Sequence, residues 1–231
     1  MKAMILAAGK GERMRPLTLT TPKPLLQAGG QPLIGYHLQR LQEADFRDVV
    51  INHAWLGQQI ETVLGDGADY GLRIEYSREA EPLETAGGIR QALPLLASDE
   101  QDWFLVINGD IWCDFDLHQL TIPRRPGLQA VLVLVDNPAH NPGGDFHLSP
   151  DRLVRAEGPH KLTFAGISLL HRSLFETLQP GCHPLAPLLR QAMTQQRVTG
   201  MHHTGRWYDI GTPERLAELD CRLKQDMEHQ P

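Results

Sequence analysis

Near the start of the chain, small residues, glycines and basic residues follow one another in a fixed order. They read Leu6-Ala7-Ala8-Gly9-Lys10-Gly11-Glu12-Arg13-Met14-Arg15-Pro16, and then Pro22-Lys23-Pro24. Small residues let a phosphate chain approach the backbone, and successive N–H groups in such a turn form an anion-binding nest. Arg13 and Lys23 would add fixed positive charge beside a triphosphate. The spacing is not that of a GxGxxG fingerprint opening a helix, and Gly-Lys-[Ser/Thr] of a P-loop is absent. Two aspartates follow much later. Asp110 closes Val106-Ile107-Asn108-Gly109-Asp110, and Asp209 lies inside Trp207-Tyr208-Asp209-Ile210-Gly211-Thr212-Pro213. Two carboxylates in the company of a phosphate loop suit a hard cation with oxygen ligands and a substrate phosphate.

The elements that must carry these residues are legible from periodicity. Residues 2–8 read as a buried strand, and Pro16, Pro22 and Pro24 forbid a long helix after it, so 12–26 is a structured loop. Helical spacing over 32–44, 55–64 and 85–96 alternates with strand patterns at 48–52, 72–76 and 103–108. That βαβ rhythm indicates an α/β fold with a mostly parallel sheet and helices on both faces. Beyond Asp110, strands are expected at 128–135, 145–148 and 163–170, and helices at 172–178 and 185–195. A short strand pair is expected within 198–210. Thr212 as N-cap and Pro213 at the first helical position open a last helix, 213–227.

Bulk properties narrow the classes further. The 231 residues carry a formal net charge of -6, which argues against general nucleic-acid binding. Cys113, Cys182 and Cys221 are odd in number and contain no CxxC pair, so a reducing compartment is expected and no zinc ribbon. Cys113 lies near Asp110 without a histidine at helical spacing and reads as a packed thiol, and His202-His203 as a polar strand end. The apolar run 3–8 is too short for a signal-peptide core, and no eighteen apolar residues run together to span a membrane. A cytoplasmic protein is the expectation.

Residues 6–23 resemble the signature loop of the sugar-1-phosphate nucleotidylyltransferase family, L-A-A-G-x-G-x-R-[ML] followed by P-K, with every element present. The Asp110 segment resembles the family's strand end, and the Asp209 segment its W-x-D-x-G-T-P element. The resemblance runs to about Glu218. It implies one nucleotidyltransferase domain over 1–231: a mostly parallel nucleotide-binding sheet flanked by helices, with a small sugar-binding extension. Residues 1–112 would mainly bind nucleotide, and 113–231 mainly the sugar phosphate. The activity implied is transfer of a nucleoside monophosphate from a nucleoside triphosphate to a sugar 1-phosphate, with release of pyrophosphate. Magnesium would be held by Asp110 and Asp209. Arg13 would steady the departing phosphates and Lys23 the reacting phosphorus. Ala7, Ala8, Gly9, Lys10, Gly11, Glu79, Glu84, Thr85, Gly87 and Asn108 are the implied nucleotide-binding residues.

The segment 77–88 resembles the family's base-recognition loop, Q-x-x-x-L-G-T. Glu79 stands where the glutamine falls and Glu84 where the glycine falls. An ionised carboxylate only accepts hydrogen bonds, so it suits the N3–H of uracil or the N1–H and amine of guanine. For the sugar, Gly144, Asp145, Glu157, Phe164 and Gly166 are the implied contacts. The loop 135–146 with 163–166 most resembles the short branch of the family that uridylylates N-acetylmuramate 1-phosphate. UTP is therefore the favoured nucleotide, and the backbone and side chains of 140–145 would supply room and a donor for the lactyl carboxylate of that sugar, with Arg155 or Lys161 as charged partners. The alternatives are guanylyl transfer to mannose or heptose 1-phosphate, and a non-catalytic nucleotide-sugar sensor.

Overall fold

Side chains of successive strand residues point to opposite faces, and this alternation sorts the apolar residues into two layers. In β1 (Ala3–Leu6), Ala3 and Ile5 enter one core and Met4 the other. The computed structural model describes residues 1–98 and 101–228. After β1, residues 7–26 form no α-helix but three short 3-10 turns, Glu12–Met14, Leu17–Leu19 and Lys23–Leu25. A hairpin of β2 (Gln27–Ala28) and β3 (Gln31–Pro32) leads into α1 (Leu33–Glu43). Then come β4 (Asp48–His53), α2 (Gly57–Leu64), β5 (Arg73–Arg78), α3 (Glu84–Leu96) and β6 (Trp103–Asn108).

The later part supplies β7 (Ile111–Cys113), β8 (Ala130–Val135), β9 (Phe146–Leu148), β10 (Val154–Arg155) and β11 (Lys161–His171). It ends with α4 (Leu185–Thr194), β12 (Val198–His203), β13 (Trp207–Asp209) and α5 (Pro213–Glu228). The main sheet runs β12-β8-β11-β6-β1-β4-β5, with β9 and β10 added beside β11. Along that row only β11 is antiparallel to its neighbours. The expected α/β class, a mostly parallel sheet with helices against it, is the one observed.

Register places the chemistry. Leu6 pairs across β1 with Asn52 of β4 and with Asn108 of β6, so three strands end level with one another. The chain leaves β1 through α1 to one side and returns through α3 to the other. In open α/β sheets such a switch point leaves a crevice beyond the carboxyl ends of the strands. α1 and α2 cover one face with Ile34, Leu38, Leu41, Ile60 and Leu64. α3 and α4 cover the other with Ile89, Ala92, Leu96, Leu185 and Leu189.

The last helix has a different task. Leu216, Leu219 and Leu223 of α5 pack with Met14, Leu26, Ala28, Trp112 and Ile210 in a third apolar cluster. Burying each leucine contributes about 1.5–3 kcal/mol, so α5 clamps the basic loop against the sheet. Asp220 adds a hydrogen bond, its Oδ1 accepting from the Gly29 N–H at 2.8 Å. Thr212 caps the helix as expected, its Oγ1 accepting from the Arg215 N–H at 3.5 Å.

Two expectations change. The helix expected over 172–178 is only a 3-10 turn, Arg172–Leu174. Phe175 is fully buried in the core, and Pro180 two residues beyond the expected helix end leaves no room to extend it. The strand pair within 198–210 is real as strands but not as a pair. β12 runs parallel to β8 and completes the main sheet, while β13 runs antiparallel to β7.

Candidate active site

The carboxyl ends of β1, β4 and β6 open into a cleft of about 560 Å3. Ala7, Ala8, Gly9, Lys10, Gly11, Arg13, Lys23, Glu84, Thr85, Asn108 and Asp110 all line it, as the sequence motifs had indicated. The two loop glycines differ in their reasons. Nothing stands within 4 Å of where a Gly9 side chain would begin, so its smallness leaves space for a ligand. Gly11 has φ +60, and a Cβ there would lie 2.8 Å from Thr18 Cγ2, so the turn itself requires glycine.

Asn52 also faces the cleft, although no motif singles it out. Its Oδ1 accepts from the Ala7 N–H at 2.9 Å, and its amide donates to Glu79 Oε1 at 2.6 Å. Glu79 Oε2 accepts from the Leu83 N–H at 2.9 Å. Glu79 is thus buried behind the wall rather than in it, and it braces Asn52 against the segment 77–88. Gly88 permits this, since a Cβ there would sit 2.5 Å from Glu79 Oε1. Gly87 likewise serves packing. A Cβ on it would lie 2.2 Å from the Gly181 carbonyl oxygen, and its N–H donates to the His183 carbonyl.

Glu84 occupies the cleft rim with φ +61, the left-handed region where the family loop carries glycine. That conformation costs an L-residue roughly 1–2 kcal/mol, partly offset in a glycine variant by about 0.5–1 kcal/mol of chain entropy. Glu84→Gly is therefore expected to stabilise the fold by about 0.5–1 kcal/mol. Thermal melts should show a gain of about 2–4 °C per kcal/mol. A lower melting temperature would mean that contacts of the Glu84 side chain outweigh its backbone cost.

Beyond the cleft, Asp110 and Asp209 line one recess. Pairing of β7 with β13 sets Asp209 opposite Ile111, and the Ile210 N–H donates to the Asp110 carbonyl at 2.9 Å. Lys23 is 8% exposed, and its Nζ lies 2.7 Å from Asp110 Oδ2. Asp209 Oδ2 faces Arg215 Nη1 at 2.7 Å and His140 Nε2 at 3.2 Å. Gly211 is wedged among these groups. A methyl there would meet Arg215 Nη1 at 3.0 Å, Arg13 Nη1 at 3.3 Å and Asp209 Oδ2 at 3.3 Å. The ion pairs of both aspartates run through Oδ2. Two carboxylates lining one recess would suit a hard divalent cation, which would supply positive charge beside a substrate phosphate.

A second recess, about 250 Å3, joins the cleft at Asn108 and Asp110. Asp209, His140, Asn141, Thr163, Phe164 and Gly166 complete much of its wall. Gly166 has φ +77, and a side chain on it would begin 2.7 Å from Asn108 Nδ2. The other expected sugar contacts lie elsewhere. Asp145 is engaged within the fold, accepting from Asn141 Nδ2 at 3.1 Å and from the Phe164 N–H at 2.8 Å. Gly144 is a packing residue, its notional Cβ 2.7 Å from the Lys161 carbonyl. Glu157 points to solvent and pairs with Lys161 at 2.8 Å, while Arg155 is exposed on β10. None of these five residues (Arg155, Lys161, Glu157, Asp145, Gly144) lines the recess.

Sequence reasoning missed Asn52 and Arg215. The only signal for Asn52 was its place at the end of a third parallel strand. Arg215 could be anticipated only by noticing that Thr212 starts a helix whose first turn faces back toward Asp209. Cys113 is buried, and burial pushes its thiol up to about 11, as a packed and unreactive cysteine requires.

Residues 2–141 match the family model described as nucleotidyl transferase. Over 228 residues the chain is 55% identical to N-acetylmuramate alpha-1-phosphate uridylyltransferase of Neisseria meningitidis serogroup B, covering 96% of this chain and 97% of that one. It is 32% identical to the catalytic subunit beta of mannose-1-phosphate guanylyltransferase from Drosophila pseudoobscura, covering 95% of this chain but 62% of the relative. Among solved structures, a candidate glucose-1-phosphate thymidylyltransferase from Bacillus anthracis superposes with a TM-score of 0.82 at 22% identity, over 97% of this chain and 95% of that one. HddC from Yersinia pseudotuberculosis superposes with a TM-score of 0.78 at 20% identity, over 96% and 99%. These structures share the fold.

Proposed function

The chain belongs to the nucleotidyl transferase family, and from this premise we infer that it transfers uridylyl from UTP to N-acetylmuramate 1-phosphate, releasing pyrophosphate. One observation carries the reaction class. The cleft built by the phosphate loop and the recess on the other side meet at Asn108 and Asp110, with Lys23 paired to Asp110 and Asp209 in the wall of the recess. That arrangement seats a triphosphate and a second phosphate against one reacting centre. The 55% identity to the uridylyltransferase, spanning almost the whole of both chains, supports the substrate pair. Similarity to the mannose-1-phosphate guanylyltransferase is weaker and covers only part of that longer protein.

In this reading an oxygen of the sugar phosphate attacks the α-phosphorus of UTP. The bond to the bridging oxygen breaks, and pyrophosphate departs with its electron pair. The nucleophile is already an anion and requires no general base. Positioning and charge neutralisation then dominate, as in other phosphoryl transfers. Backbone N–H groups of residues 8–11 cradle the triphosphate, and Arg13 takes up charge on the leaving phosphates. Lys23 directs its ammonium at the reacting phosphorus. A divalent cation, magnesium in our reading, neutralises phosphate charge when held by Asp110 and Asp209.

A nucleotide-sugar sensor is disfavoured, because Arg13, Lys23, Asp110 and Asp209 are all retained around the two cavities. The product would serve cell-wall recycling in the cytoplasm. No helix among the described residues is long and apolar enough to cross a membrane, and the three cysteines are free. The deciding experiment is pyrophosphate release measured over a matrix of nucleoside triphosphates and sugar 1-phosphates with magnesium. UTP with N-acetylmuramate 1-phosphate should exceed GTP with mannose 1-phosphate at least tenfold in kcat/KM. Equal or better efficiency with the guanylyl pair would refute the substrate assignment and leave the reaction class standing.

A further inference from the structure

We propose that His140 binds the 1-phosphate of the acceptor sugar by donating from Nε2, an inference that rests on the second recess being the acceptor site. A sugar 1-phosphate brings up to two negative charges into a recess already lined by Asp110 and Asp209. A shared cation offsets part of that repulsion, but phosphate oxygens turned away from it still need donors. Among the described residues lining the recess there is no lysine or arginine, and His140 brings the one imidazole, whose ring N–H can donate to a phosphate oxygen. The basic residues that sequence alone suggested for this side are not available. Lys161 is paired with Glu157, and neither it nor Arg155 lines the recess.

The His140 ring is placed but not committed. Its polar contact is Asp209 Oδ2 at 3.2 Å, and that oxygen also receives Arg215 at the shorter distance of 2.7 Å. Asp209 therefore keeps a guanidinium partner when the imidazole turns to another oxygen. The backbone that carries the ring is firmly held. Asn141 Nδ2 donates to Asp145 Oδ1 and to Thr163 Oγ1, each at 3.1 Å. Asn137 Nδ2 donates to the Lys161 carbonyl at 2.9 Å, and its Oδ1 accepts from the Thr163 hydroxyl at 2.9 Å. This network gives Asp145 its purpose: it fixes the loop that presents His140 instead of touching sugar. An ordered loop with one mobile donor limits the entropy lost on binding.

The test compares wild type, His140→Ala and His140→Gln, the glutamine keeping an N–H donor near the position of Nε2. KM is measured for UTP and for the acceptor, with the half-saturating magnesium concentration. Calorimetry on protein loaded with magnesium and a non-hydrolysable UTP analogue gives the acceptor Kd directly. His140→Ala should raise acceptor KM and Kd at least tenfold, with UTP and magnesium constants within twofold of wild type. His140→Gln should recover acceptor binding to within about threefold. The loss should also be equal for N-acetylmuramate 1-phosphate and N-acetylglucosamine 1-phosphate, which share the phosphate but not the lactyl group. An unchanged acceptor Kd overturns the proposal, as does equal weakening of UTP or magnesium. So does a loss confined to the lactyl-bearing sugar. If the wild type prefers mannose 1-phosphate, the substrate assignment fails, yet the same comparison with that acceptor still decides on His140. A wild type that turns over no sugar 1-phosphate overturns both.

Discussion

Asp110→Asn and Asp209→Asn should each lower kcat at least a thousandfold, with the fold retained. Asparagine preserves shape but removes the charge that a divalent cation needs where charge concentrates in the transition state. A thousandfold loss corresponds to about 4 kcal/mol of transition-state stabilisation. The two variants disturb their surroundings differently. In Asp110→Asn the buried Lys23 ammonium loses its carboxylate at 2.7 Å, so some stability should be lost with activity. In Asp209→Asn the partners Arg215 and His140 are 27% and 35% exposed at their side chains and can be rehydrated. Thermal melts and steady-state kinetics over a magnesium series would check both. Near-normal magnesium-dependent turnover in both variants would sink the two-aspartate site.

Lys23→Ala is expected to reduce kcat at least a hundredfold while changing KM for UTP much less. Lys23 sits in a 3-10 turn with Pro22 before it and Pro24 inside it, and its ammonium is held at the junction of the two cavities. A charge fixed in that way acts on the transition state without reorganising, and a hundredfold is about 3 kcal/mol. Single-turnover and steady-state measurements separate the two constants. If KM alone rises, Lys23 docks the triphosphate and has no special role at the reacting phosphorus.

How much of this was legible before any coordinates depended on whether the information is contiguous in the chain. Apolar periodicity marked β1, α1, β4, α3 and β6 because each element buries one face or stripe against its neighbours. The glycine-rich loop and the two aspartate segments were legible because each is a short run whose backbone shape depends on its own glycines and prolines. Gly11 is left-handed and Thr212 caps α5, in keeping with those local rules. The directions of individual side chains were a different matter. Glu79 and Asp145 look like ligand contacts in the sequence, yet both carboxylates are occupied by hydrogen bonds within the protein. Gly87 looks like part of a binding loop and is in fact pressed against the Gly181 carbonyl. Asn52 entered the cleft only because β4 pairs with β1 in one register, and a shift of one residue would have turned it to the opposite face. His140, Asp209 and Arg215 meet across 69 and 6 residues of chain, joined by the pairing of β13 with β7 and the start of α5. Local sequence specified which chemistry this protein carries. Strand pairing, which joins residues remote in the chain, decided which of the candidate side chains face the two cavities and which hold the others in place.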